Sequence, residues 1–251
     1  MCLIVFAWRP DHAQPLVVAA NRDEFHSRPS LPLGCWEDAP WIIGGRDLQA
    51  GGTWMGVTAR GRFAALTNIR APGQAIGPRS RGELPEQYLR GNLPPADYLA
   101  ELAERRGEYA GFNLLVGDRQ TLWYLNSHDG QPQALQAGVY GLSNAGLDTP
   151  WPKLRKARAA LADALDQPEP ERLLALLADA EPAAEHELPQ TGVPLEWERR
   201  LSSVFIASAE YGTRASTALI RHADGSLDIV ERSFGPDGPL NEVRYRQPPR
   251  D

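Results

Sequence analysis

Cys2 is the residue with the most obvious chemistry. It follows the initiator Met, and a small residue at this place lets methionine aminopeptidase take Met1 away. Cys2 would then carry both a thiol and a free α-amine, whose ordinary pKa values are about 8.5 and about 7.7–8.0. One residue can in this way hold nucleophile and base together, as an N-terminal Thr does. The competing reading is a small apolar residue that opens a buried strand. The second feature is Asn21-Arg22-Asp23-Glu24, which directly follows the apolar run Leu16–Ala20. Charged groups after a buried strand emerge at a sheet end. There Arg22 could hold a thiolate or a substrate carboxylate, Asp23 could orient an N-terminal ammonium, and Asn21 could donate its amide to an oxyanion. An ion-paired turn that caps the sheet is the plainer alternative.

Other polar residues stand beside apolar strands in the same manner. Thr67-Asn68 and Ser143-Asn144 end two of them, and Tyr211-Gly212-Thr213-Arg214 leads into a third. Asn68 and Asn144 are candidate oxyanion donors because an amide brings a dipole without a charge that titrates. Arg214 suits an anionic substrate group through a bidentate contact. Taken singly, each is equally a turn residue, since Asn tolerates left-handed backbone. Gly51-Gly52-Thr53-Trp54 has no helix after it to make a phosphate loop, so it reads as a turn, with Trp54 a wall of a core or pocket. Cys2, Arg22, Asp23 and Asn144 are thus the catalytic candidates, and Asn21, Glu24, Trp54, Asn68 and Arg214 the substrate-binding ones.

Several chemistries find no support. The chain has no Cys-x-x-Cys, no His-Glu-x-x-His and no Cys-x-x-Cys-His, and its five His (12, 26, 128, 186, 222) lack ligand spacing, so no metal site is expected. No Gly-x-Ser-x-Gly elbow is present either. A net charge of −6 argues against nucleic acid, which needs a basic face. No apolar run approaches the roughly 18 residues of a spanning helix. Cys2–Trp8 has no basic region before it and no cleavage site after it, so it is not read as a signal peptide. Cys2 and Cys35 cannot build a disulfide framework for 251 residues, and the expected location is cytoplasmic. Lys occurs only at 153 and 156 in a chain otherwise rich in Arg, Ala and Pro, which reads as the mark of a GC-rich bacterial genome.

Those residues must be positioned by strands and helices. The apolar patterning predicts strands at Cys2–Trp8, Leu16–Ala20 and Trp41–Ile43 and a hairpin of Thr53–Thr58 with Arg62–Thr67. Helices are expected at Leu84–Leu89, with Ser80 and Glu83 as a capping pair, and at Ala96–Arg106. Strands follow at Asn113–Val116, Leu122–Leu125 and Val139–Leu142. Residues 151–180 read as helix broken at Pro168 and Pro170, with Leu154, Ala157, Leu161 and Leu165 on one face. A loop over 181–195 precedes strands at Val204–Ser208, Thr217–Arg221 and Leu227–Glu231, and residues 235–251 are expected as a loosely ordered tail. Without a repeat or a linker, this is one α+β domain, simplest as two antiparallel sheets with helical layers outside.

Met1-Cys2-Leu3-Ile4 followed by Asn21-Arg22-Asp23-Glu24 resembles the NRDE family, the transport and Golgi organisation proteins. Gly51-Gly52-Thr53-Trp54-Met55-Gly56, Leu66-Thr67-Asn68, Ser80-Arg81-Gly82, Leu142-Ser143-Asn144 and Tyr211-Gly212-Thr213-Arg214 follow in family order. The family in turn resembles the N-terminal nucleophile hydrolases, which implies an αββα sandwich of two antiparallel sheets between helical layers. Within that superfamily the likeness is to choloylglycine hydrolase and penicillin acylase-type enzymes, which cleave amides with an N-terminal Cys aided by Arg, Asp and Asn. By matching position the resemblance gives those roles to Cys2, Arg22, Asp23, Asn144 and Arg214, with Asn68 beside them. One departure stands out. The Arg and Asp are two residues apart in the amidases but adjacent here, and strand neighbours face opposite sides.

Two functions are therefore expected. One is a cysteine amidohydrolase or acyltransferase acting on an amide or thioester, with no required cofactor. The other, which the family's links to haem trafficking and lipid handling imply, is a carrier of haem or an acyl-CoA-like amphiphile in the same pocket. The partner is in either case a small molecule, and the sequence sets no oligomeric state.

Overall fold

A computed structural model describes residues 2–73 and 77–249. The chain forms two compact units, one of Met1–Ser27, Arg70–Pro72 and Ala137–Asp251, the other of Arg28–Ile69 and Gly73–Gln136. In chain order, β1 (Cys2–Trp8) and β2 (Leu16–Phe25) begin the first unit. The second unit holds β3 (Ser30–Trp36), β4 (Ala39–Asp47), β5 (Met55–Thr58), β6 (Phe63–Asn68), α1 (Glu83–Arg90), α2 (Pro95–Arg105), β7 (Phe112–Gly117), β8 (Leu122–Asn126) and β9 (Gln133–Ala134). The first unit resumes with β10 (Gly138–Leu142), α3 (Pro152–Ala164), α4 (Pro170–Ala175), α5 (Leu195–Arg200), β11 (Tyr211–Arg221), β12 (Leu227–Gly235) and β13 (Gly238–Gln247).

Each unit is built on one antiparallel sheet. The first has strand order β10-β1-β2-β11-β12-β13, and the second runs β3 to β9 in sequence order. The α+β class with two antiparallel sheets is thus what the chain forms. In the first unit Leu154, Ala157, Leu161 and Ala164 recur at three- and four-residue spacing and put one face of α3 onto the sheet. They meet Leu3, Val5, Ala7, Val17 and Ala19, the alternate residues of β1 and β2. In the second unit Leu84, Tyr88 and Leu89 of α1 and Leu99, Leu102 and Ala103 of α2 cover Ala64, Leu66, Leu114 and Val116 in the same way.

The structure corrects several expectations. Asn21-Arg22-Asp23-Glu24 lies inside β2 rather than beyond its end, because β2 is paired on both edges, Cys2 with Arg22 on one side and Tyr211 with Phe25 on the other. Likewise Tyr211–Arg214 belongs to β11. Val204–Ser208 is not a strand. Its backbone groups go elsewhere, Phe205 N–H to Asp179 O at 2.7 Å and Ile206 N–H to Thr213 Oγ1 at 2.9 Å. Ser80 and Glu83 form no capping pair, since α1 starts at Glu83 with no side-chain cap and Glu83 instead binds Arg79 at 2.6 Å. β3 was not expected, and β4 extends well past Trp41–Ile43.

The region from 235 is the largest correction. It is not a loose tail through Gln247 but the edge strand β13, paired with β12 from Leu227–Gln247 to Gly235–Gly238. The turn chemistry was present in Gly235-Pro236-Asp237-Gly238, a Pro-Asp-Gly run of the kind that closes hairpins. Its alternation was masked because most of β13 faces solvent on both sides, as an edge strand can.

Candidate active site

The site grows from the register of β1, β2 and β11. Cys2 opens β1 directly opposite Arg22, and Leu3 sits opposite Asn21. Leu3 belongs to the helix-covered face, so by strand alternation Asn21 and Asp23 face the helices and Arg22 the other side, while Cys2, at the very start of its strand, feels the charges of both Asp23 and Arg22. The adjacent Arg22 and Asp23 therefore do point apart, as the sequence spacing demands.

Asn21 has its whole amide engaged on the helix side. Its Nδ2 donates to Leu177 O at 3.0 Å and Val204 O at 2.8 Å, and its Oδ1 accepts from Ser216 Oγ at 2.6 Å. That ties β2 to the end of α4 and to the segment expected as a strand. Asp23 is buried beside it. Thr213 Oγ1 donates to Asp23 Oδ1 at 2.8 Å, and the Tyr211 hydroxyl donates to Asp23 O at 3.1 Å. Between these two lies Gly212, where a Cβ would come 2.6 Å from Ile206 O, so only glycine lets that segment close over the strand.

Arg214 is the extra residue of a β-bulge: Thr213 pairs with Asp23, but Ala215 already pairs with Arg22. Its Nη1 donates to Phe25 O at 2.8 Å. Burial first, and then the neighbouring Arg22 charge, push its pKa down, with Glu24 opposing. Arg22, Glu24 and Arg214 thus gather with Cys2. Asn144 follows β10, the other neighbour of β1. Its carbonyl accepts from Arg70 N–H at 2.7 Å, and Ser143 Oγ lies 3.2 Å from both Cys2 O and Asn144 Oδ1. Trp54 and Asn68 belong to the other unit. There the Trp54 ring lies over Gly45, where a Cβ would come within 2.1 Å of it, and Asn68 ends β6 opposite Phe112.

Two cations that the sequence reading passed over stand beside Asp23. Lys153, in the first turn of α3, is only 3% exposed. Burial lowers its pKa to about 8, Asp23 and Cys2 counteracting and Arg70 adding to the fall. Arg70 donates from Nη1 to Glu198 Oε2 at 2.8 Å, both side chains at most 5% exposed, and its guanidinium sits 4.7 Å from the Trp151 ring centroid. Glu198 in turn accepts from Thr191 N–H at 2.7 Å and Thr191 Oγ1 at 2.6 Å. A signal for Lys153 did exist, a lysine kept in a chain that otherwise uses arginine. Arg70 offered none.

Electrostatically the site opposes its own charges. Burial raises the Cys2 thiol pKa, with Asp23 adding to it and Arg22 opposing. Burial likewise raises Asp23, against the pull of Lys153, the Thr213 hydroxyl and Arg70. Tyr211 is raised well above the usual phenol value by burial and by Asp23, Glu24 and Cys2. Such opposed shifts in one cluster are a feature of functional sites. Among the described residues no group of His, Cys, Asp and Glu gathers to hold a metal ion.

Residues 1–236 match the family Transport and Golgi organisation 2. The chain belongs to that family. The mouse Transport and Golgi organization 2 homolog is 34% identical over 257 residues, 93% of each chain. The human homolog is also 34% identical over 93% of both, and the Drosophila melanogaster protein 26% over 98% of both. Among solved structures, a C2A mutant of the conjugated bile acid hydrolase of Clostridium perfringens is similar at 8% identity, covering 99% of this chain and 97% of that one, with a TM-score of 0.45. The Caenorhabditis elegans N-acylethanolamine-hydrolyzing acid amidase ortholog is similar at 11% identity over 87% of this chain and 92% of that one, with a TM-score of 0.42. Among the described residues no helix is long and apolar enough to cross a membrane.

Proposed function

We propose that this family member is a cytoplasmic cysteine amidohydrolase or acyltransferase whose nucleophile is Cys2 after loss of Met1. The observation that carries this reading is the meeting at one strand start of a thiol, its cross-strand Arg22, and the buried charges of Asp23 and Lys153. The freed α-amine takes the thiol proton, and Asp23 holds the resulting ammonium. Arg22 offsets the thiolate charge that burial disfavours. The sulfur attacks the carbonyl carbon of an amide or thioester, and the Asn144 amide with a backbone N–H receives the oxyanion. Collapse breaks the C–N or C–S bond, and the ammonium returns its proton to the leaving amine or thiol. Water, or an acceptor amine or thiol, then gives up a proton to the α-amine and attacks the Cys2 thioester, releasing acid or transferred acyl product. Glu24 and Arg214, beside Arg22, bind the polar end of the substrate. Asn21 is left out of the chemistry, because its donors are held by two backbone carbonyls.

The test pairs intact-mass measurement with turnover of N-acyl amides and acyl thioesters. The expected outcome is Met1-free protein whose Cys2→Ala variant loses roughly 10²-fold or more in rate, as removal of a catalytic group does. Full turnover by Cys2→Ala overturns the proposal. A second reading rests on the nearness of two guanidinium groups, Arg22 and Arg214, which fits the anionic end of an amphiphile. On that reading the protein carries haem or an acyl-CoA-like molecule without turnover, and Cys2→Ala keeps its micromolar binding.

A further inference from the structure

The proposed reaction has no task for Lys153, although burying an ammonium is costly unless something answers its charge. The residue stands in the first turn of α3, 3% exposed, and among the described residues its Nζ has no hydrogen-bond partner. Contacts run from that turn to Cys2. Leu154, next in the helix, packs on Gly141 of β10 so closely that a Cβ there would come 2.8 Å from it. Trp151, just before the helix, carries the Arg70 guanidinium 4.7 Å from its ring centroid. Arg70 N–H holds Asn144 O at 2.7 Å, and Ser143 Oγ lies 3.2 Å from Cys2 O. The ammonium is thus set where it feels both Asp23 and Cys2.

The other charges nearby have places of their own. Arg70 is closed on Glu198 of α5 at 2.8 Å. Arg22 faces away from Asp23, and Glu24 with it by alternation along β2. Arg214, in the bulge of β11, donates to Phe25 O at 2.8 Å. Tyr211 of β11 stays a neutral phenol, since burial and then Asp23 raise its pKa well above the usual value. Asp23 is therefore one carboxylate facing two amines, Lys153 Nζ and the α-amine that loss of Met1 creates at Cys2. A like charge close by disfavours a second protonation. Burial brings Lys153 down to about 8, which leaves it charged at neutral pH. We propose that Lys153 is a positioning residue for the Cys2 α-amine: the two share Asp23, and the buried lysine cation keeps the α-amine unprotonated and so able to act as the base. This role rests on Cys2 being N-terminal, as the proposed reaction has it, but its test needs no turnover.

The experiment uses the full-length protein with Cys2→Ala, which removes the competing thiol, treated with methionine aminopeptidase until the intact mass shows Met1 gone. Trace acetic anhydride labels the freed N-terminus over a range of pH. Mass spectrometry of the N-terminal peptide then gives the midpoint at which the amine becomes reactive. With Lys153 in place, that midpoint should lie below the ordinary α-amine range of about 7.7–8.0. Lys153→Met should raise it by about one pH unit or more, as loss of a nearby like charge does. Lys153→Arg keeps the charge and should keep the low midpoint. Should the Met variant not fold, the midpoint with Lys153 in place still decides. The proposal is overturned if that midpoint lies within or above the ordinary range, if Lys153→Met shares it, or if Lys153→Arg shifts as Lys153→Met does. Met1 that resists removal would overturn this role and the proposed reaction together, whereas the labelling outcomes bear on Lys153 alone.

Discussion

Replacing Asn21 by Ala separates two roles that its amide could play. As an oxyanion donor, its loss would lower turnover and leave the fold intact. As the tie between β2 and the helix side, its loss removes two donations to backbone carbonyls and one acceptance from Ser216, at 3.0, 2.8 and 2.6 Å. A buried hydrogen bond contributes a net of about 0.5–1.5 kcal/mol, so three give about 1.5–4.5 kcal/mol. For a chain of this size that corresponds to a fall in Tm of about 3–18 °C, at 2–4 °C per kcal/mol. Ser216→Ala deletes only one of the three bonds and should cost about 0.5–1.5 kcal/mol. The double variant should fall short of the sum, because the Ser216–Asn21 bond is shared. Thermal and urea unfolding of the three variants measures this. Hydrogen exchange should also quicken first around Leu177 and Val204, whose carbonyls lose their donor. An Asn21→Ala protein melting within about 1 °C of the parent would refute the assignment of Asn21 as a structural tie.

Glu198→Ala should destabilise by about 3–5 kcal/mol, because it leaves the Arg70 guanidinium buried without its carboxylate. Urea unfolding checks this, and a loss under about 1 kcal/mol would mean that the pair is solvated in solution. Asp23→Asn should stabilise the protein at neutral pH. The folded pKa of Asp23 is raised by burial, so over the window above the unfolded value the native state holds the proton more tightly. The group's contribution is then best at low pH and declines as pH rises from about 4 through the folded pKa. Asn mimics the protonated form, so its advantage should be absent at acid pH, grow through that window and then level off. Tm measured against pH for both proteins shows it, and an advantage that shrinks with rising pH would reverse the sign assigned to Asp23.

The local patterns of the sequence were enough for the class of the fold and for the family. Unbroken apolar runs gave β1 and the first half of β2, the three- and four-residue spacing of Leu154, Ala157 and Leu161 gave α3, and the order of polar blocks gave the family. The alternation of side chains along a strand said that Arg22 and Asp23 face opposite sides unless the backbone turns there, and both lie in the paired register of β2. These properties are short-ranged, set by the period of strand or helix and by the turn between them.

Pairing decided the rest. That Asn21 to Glu24 lies within a strand depends on β11 arriving from some 190 residues away to cover the second edge of β2, which no local window contains. The role of Asn21 changed for the same reason, since its partners Leu177 and Val204 reach it only in the folded chain. Lys153 and Arg70 have side chains that on sequence alone belong in water. Burial against Asp23, Glu198 and Trp151 makes them part of the site and shifts their protonation, because the cost of a charge is set by what surrounds it in three dimensions. The sequence by itself determined which groups could react. The tertiary structure decided which of them meet, on which face of the sheet, and in which direction burial and neighbouring charges move their pKa values.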